Sequence, residues 1–198
     1  METTSAQPAD SASCRDLLRD VAEGRPGAER ALVDRFKSHV RRLLARTLGP
    51  GPDVDDRLQE VLMRVFARLH RVEPPEALPG FVTQVTIFVA REELRRRRRA
   101  RWLSFFASDD LAAMGGGAED LSEDVRAFYR ALSKVSDEAH LLVTLRHVEG
   151  MSLGEIAEHL SISLATVKRH LARAESDVLE KLGIEDTSTA PWMRGAFR

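Results

Sequence analysis

SLGEIAEHLSISLATVKRHLARAE, residues 152–175, is the stretch whose reading decides the fold. Ser152 and Glu155 stand three apart at the head of an apolar pattern. That is capping-box spacing, so a helix starts there with its first amides satisfied. Ile156, Ala157 and Leu160 form its inward face. Leu160-Ser161-Ile162 reads as a tight turn, and Ser163 as the cap of a longer helix. That helix turns Val167, Leu171, Ala174, Val178 and Leu182 inward, in steps of four, three, four and four, until Gly183 ends it. Two helices meeting through three residues make a helix-turn-helix.

The outward side of the second helix carries Ser163, Leu164, Thr166, Lys168, Arg169 and Arg173. A major groove admits one helix, and side chains of its first turns reach base edges. Hydroxyls and N-terminal amides suit phosphates, whereas lysine and arginine serve phosphate or guanine alike. A capped helical hairpin with a merely solvated basic face is the alternative. It is outweighed because spacing, capping, turn and charge all agree.

The whole chain is not a polycation. Its 198 residues hold 30 Lys and Arg against 31 Asp and Glu, a formal net charge of −1, so any grip on a polyanion must come from local patches. One such patch is REELRRRRRARW, residues 91–102, with seven arginines in twelve positions. Hydrophobic residues at 43% can build cores, while 31% charged and 6% aromatic residues suit thin, helix-rich domains. The single cysteine, Cys14, excludes an internal disulfide or a multi-cysteine metal site. The N-terminal METTSAQPADSAS lacks a basic start and an apolar core, and the uncharged run 77–90 is too short to span a bilayer. The expectation is a cytoplasmic protein with no membrane insertion.

Outward from the opening motif, the chain divides into five parts. Residues 1–13 read as a disordered tail, and 14–102 as an N-terminal helical domain. In that domain Leu32, Phe36, Val40, Leu43 and Thr47 mark one helix, stopped by Gly49-Pro50-Gly51-Pro52. Asp53 reads as the N-cap of the next, whose stripe is Leu58, Val61, Leu62, Val65, Phe66 and Leu69. After a break at Pro74-Pro75 and Pro79-Gly80, a third helix is expected to bury Phe81, Val82, Val85, Phe88 and Val89. Residues 103–122, acidic with a triple glycine, read as a flexible linker. Helices near 123–134, 137–149, 152–160 and 163–182 build a second domain over 123–184, and 185–198 is a C-terminal tail. The fold class is all-α: two small helical domains joined by an acidic linker, the second a helix-turn-helix domain.

EIAEHLSISLATVKRHLARAESDVLEKL, residues 155–182, resembles the promoter-binding helix-turn-helix of bacterial sigma factors of the extracytoplasmic-function (ECF) group. DVDDRLQEVLMRVFARL, residues 53–69, is similar to that family's polymerase-docking helix. LPGFVTQVTIFVAREELRRRRR, residues 78–99, stands where the family recognises and opens the −10 promoter element. The resemblance covers roughly residues 14–184 and implies a non-enzymatic subunit that brings RNA polymerase core to promoters. It implies that Asp55, Asp56, Gln59, Glu60 and Arg64 face the polymerase clamp helices. It gives the −35 element to Ser163, Leu164, Thr166, Lys168, Arg169 and Arg173. It gives the −10 region to Phe88, Arg91, Arg95, Arg96 and Arg99, with Arg97 and Arg98 as electrostatic support. An anti-sigma protein is a further implied partner. Two departures stand out: Phe81 occupies a common tryptophan position, and Phe88 that of an asparagine near the −10 reading loop. The second implies a divergent −10 sequence or weak melting. Ala165 replaces a common glycine, harmlessly for a helix.

TVKRHLARAESDVLEKLGI also resembles the end of LuxR-like regulators, which bind operators as dimers, but residues 14–102 carry no receiver or ligand-pocket signal. Catalysis is not expected. The six histidines show no metal-ligand spacing, and no phosphate loop or nucleophile elbow appears. Adjacent acid pairs such as Asp55-Asp56 splay apart on a helix. No cofactor, metal or small-molecule substrate is called for.

Overall fold

The computed structural model describes residues 8–49, 53–105, 122–185 and 190, with side chains from Cys14 onward and not for 101–105. The described residues are all-helical, without a strand. Eight α-helices follow one another: α1 Pro8–Ala22, α2 Ala28–Leu48, α3 Val54–Arg68, α4 Leu78–Phe105, α5 Glu123–Leu132, α6 Asp137–Val143, α7 Leu153–Leu160 and α8 Leu164–Leu182. None of these is long and apolar enough to cross a membrane.

The helices α2, α3 and α4 pack on one another, with α1 laid against α2 and the short 3₁₀ turns at 69–71 and 75–77. Leu32, Val40, Leu43, Leu44, Val61, Val65, Leu78 and Val82 are fully enclosed between them. The apolar stripe of α2 is thus inward as its period requires. Pro79 and Gly80 do not break the chain as expected; they lie in the first turn of α4, where a missing amide costs nothing. Asp53 precedes α3 but forms no side-chain cap, because its carboxylate is claimed by arginines of α4.

In the second region α8 packs across α5, α6 and α7. Both capping-box bonds exist: the Glu155 amide donates to Ser152 Oγ at 3.2 Å, and the Ser152 amide to Glu155 Oε2 at 2.7 Å. Ser163 Oγ accepts the Thr166 amide at 3.1 Å. Ser161 takes the left-handed conformation (φ 55°) that turns the chain between α7 and α8. Val167, Leu171, Ala174 and Val178 are buried and Leu182 half-buried. The expected continuous helix over 137–149 is α-helical only to Val143. A π turn, Thr144–Val148, follows before Gly150. The expected linker falls largely outside the described residues, as does the tail with Trp192. α4 runs on to Phe105, three residues beyond the expected domain edge at 102.

Candidate nucleic-acid interface

α4 sorts its arginines by face. Glu93 is completely enclosed and accepts from Arg96 through both oxygens (2.8 and 3.0 Å) and from Arg97 Nε at 2.9 Å. Arg97 also donates to the Leu48 carbonyl at 2.8 Å and pairs with Asp53 at 3.3 Å. Burial alone would raise the Glu93 carboxyl; the hydrogen bonds and charges of Arg96 and Arg97 outweigh it and hold the group below its ordinary value. Arg98 faces Asp137 of α6 at 3.8 Å.

What remains is a stripe. Phe88, Arg91, Arg95 and Arg99 follow in steps of three, four and four, which keeps them on one side of a helix. Among the described residues, Arg91, Arg95 and Arg99 make no ion pair or hydrogen bond. The sequence groups Arg96 with these three, but its guanidinium is committed to Glu93. Phe88 is the clearest correction to the sequence reading: it is 50% exposed rather than buried, and Ile87 takes the inward place. The guanidinium of Arg64 lies 5.3 Å from the Phe88 ring centre, within cation–π range.

On α3, Glu60 and Arg64 turn toward α4 in a ladder of ion pairs, Arg57 to Glu60 to Arg64 to Glu92, the last contact at 2.6 Å. Asp55 is exposed but paired with Arg41 at 3.0 Å. The open side of α3 carries Asp56, Gln59 and Met63, again three and four apart. Met63 is 72% exposed and was not singled out from the sequence. Its place seven residues after Asp56 was the available signal.

The outward side of α8 presents Lys168, Arg169 and Arg173, exposed and without a partner among the described residues. Ser163 and Thr166 hydroxyls face each other at 2.8 Å. Leu164, at the first helical position, is 46% exposed. Three large apolar side chains stand out as exposed among the described residues: Met63, Phe88 and Leu164. Each lies on a different one of these three faces. An apolar group held in water beside charged neighbours is what a binding surface offers as its centre. The described residues contain no group of His, Cys, Asp and Glu able to hold a metal ion.

Residues 32–100 match the family model "Sigma-70 region 2", and residues 125–178 match "Sigma-70, region 4". The chain is 28% identical over 163 residues to the ECF RNA polymerase sigma factor SigE of Mycolicibacterium smegmatis, across 80% of its own length and 63% of the relative's. To the ECF RNA polymerase sigma-E factor of Escherichia coli it is 24% identical, across 84% of this chain and 92% of that one. Its fold matches CnrH, solved in complex with the cytosolic domain of CnrY, with a TM-score of 0.59 and 22% identity over 87% of this chain and 98% of that one. It also matches the sigma factor RpoE solved with the anti-sigma factor NepR from Bartonella quintana, with a TM-score of 0.59 and 19% identity over 81% and 99%. The region 2 match covers the part of the chain that the LuxR-like alternative leaves unexplained. With a region 2 followed by a region 4 over more than half its length, the chain belongs to the sigma-70 family and is homologous to the ECF sigma factors.

Proposed function

We propose that this protein binds RNA polymerase core and directs it to promoters, with α8 on the −35 element and the outer face of α4 on the −10 element. It acts as a specificity subunit and not as an enzyme. The observation that carries the reading is the order of a region 2 and a region 4 on one chain, each with an open face. Tethering two DNA-reading units raises the effective concentration of the second once the first is bound. CnrH and RpoE, the structural matches, were solved with CnrY and an anti-sigma factor, so a protein of that class is proposed as a further partner. The test is capture of polymerase core by the purified chain, followed by mapping of transcription start sites. A shared pair of upstream motifs is expected; failure to bind core where a control sigma factor does would reject the reading.

The polymerase face centres on Asp56, Gln59 and Met63 rather than on Glu60 and Arg64, whose side chains are tied into the ion-pair ladder from Arg57 to Glu92. Met63→Ala is expected to weaken core binding about 5- to 30-fold, the usual cost of truncating an interface anchor. Titration of core with labelled protein measures it. A dissociation constant unchanged within about twofold, at the same precision, would remove Met63 from the interface.

A further inference from the structure

Sulfur is divided sharply between the interior and the surface of this protein. Cys14, the one thiol of the chain, is 1% exposed and lies beside Arg35, whose Nη2 is 4.0 Å from Sγ. An oxidant would have to enter the core to reach it, and buried cysteines of this kind are inert. Met151 is half-buried and packs against the same core.

Met63 is the opposite case. Val61 and Val65 of α3 are enclosed, and Met63, two residues from each, falls on the far side of the helix. It is 72% exposed, the most open of the three exposed large apolar side chains among the described residues. Asp56 and Gln59 share its face. A thioether is apolar, unbranched and polarizable, which suits an interface anchor. The same exposure leaves its lone pairs open to a small oxidant.

We propose that Met63 is an oxidation site that controls assembly with polymerase core: a peroxide converts its thioether to the sulfoxide in the free chain, and the oxidised face no longer docks well. The proposal rests on the reading of α3 as the helix that meets core. In the step, a sulfur lone pair attacks one peroxide oxygen, the O–O bond breaks and an S–O bond forms. The departing hydroxide takes up the proton and leaves as water. Sulfur is oxidised by two electrons and the peroxide reduced by two. A sulfoxide reductase reverses this with two thiols, which become a disulfide while the oxygen leaves as water.

The sulfoxide is a hydrogen-bond acceptor where the thioether was apolar. Held at the centre of a docked face without a donor, it is expected to lower affinity at least about fivefold. Bound core in turn covers the sulfur, so the oxidant acts on unassembled chain and spares the holoenzyme.

The test compares each protein with itself before and after hydrogen peroxide, by titration of core with labelled chain. Peptide mass spectrometry follows the oxygen added at Met63. Oxidised wild type is expected to bind at least about fivefold more weakly and to recover with methionine sulfoxide reductase. Met63→Leu keeps the apolar volume without the sulfur, so peroxide is expected to change its affinity by less than about twofold. Core added before peroxide is expected to slow oxidation at Met63 at least about fivefold.

Wild type that carries the Met63 sulfoxide and binds core as before overturns the inference, as does a Met63 that peroxide leaves intact or that core fails to protect. An equal loss in Met63→Leu also overturns it, by placing the reactive sulfur at Cys14 or another methionine. A chain that binds core neither before nor after treatment rejects the sigma-factor reading, and the inference falls with it.

Discussion

Replacing Arg91, Arg95 and Arg99 together by glutamine is expected to flatten the salt dependence of promoter binding by about two to three units of log–log slope. Each phosphate contact contributes roughly 0.7 to 0.9 units through released counterions. The three side chains share the Phe88 face of α4 and make no ion pair or hydrogen bond among the described residues. Their charge is therefore available to DNA without first breaking a contact inside the protein. Arg96→Gln is the informative control. Its guanidinium is held by Glu93 through two hydrogen bonds, so its loss is expected to lower stability while leaving the slope nearly unchanged. Holoenzyme binding to a promoter fragment over a salt series makes the comparison. A triple variant with the wild-type slope would return the stripe to a solvated helix face.

The second large effect is expected at Glu93. Its carboxylate is fully enclosed and gathers Arg96 and Arg97, with Arg57 at 3.9 Å. Glu93→Ala leaves those cations facing a cavity and is expected to cost about 3 kcal/mol, the low end for breaking a buried pair because the arginines keep partial access to water. In a chain of this size that corresponds to a melting temperature lower by about 6–12 °C. The pH dependence carries a sign. The folded carboxyl sits below its ordinary value of 4.5. Its stabilising contribution is therefore complete above pH 4.5 and is lost as pH falls through the depressed folded value. The gap between wild type and Glu93→Ala should narrow in that acid window, measured by denaturant melts across pH. A gap that stays constant from neutral pH into the acid limb would mean that packing, not charge, makes Glu93 important.

Much of the fold was legible because its signals are local. The capping box at Ser152 and Glu155, the cap at Ser163 and the stop at Gly183 are read from neighbours within one turn. The stripes of α2, α3 and α8 follow from period alone. The candidate site was legible only in part. Arg91, Arg95, Arg99, Lys168, Arg169 and Arg173 are exposed or half-exposed and make no ion pair or hydrogen bond among the described residues. Phe88 was misplaced because a phenylalanine within an apolar stripe looks buried. The neighbouring Ile87 and Thr86 fill the inward side instead. Met63 was passed over because one methionine on a polar helix carries no pattern of its own.

The seven arginines of 91–101 mark the boundary between the two kinds of information. Sequence by itself determined most of the helices, the caps at Ser152 and Ser163, the helix-turn-helix and the family, because each depends on residues a few positions apart or on the order of motifs. It missed α1, which begins at Pro8 inside the expected tail, and the failure of Asp53 to cap α3. It could not say which arginine does what, since five consecutive arginines circle a helix completely. Only tertiary structure decided that, by burying Glu93 on one side of α4, setting Asp53 and the end of α2 beside Arg97 there, and placing Asp137 near Arg98. A buried carboxylate draws the nearest cations inward to offset its desolvation. Arg91, Arg95 and Arg99, which make no ion pair or hydrogen bond among the described residues, are the ones proposed to meet DNA.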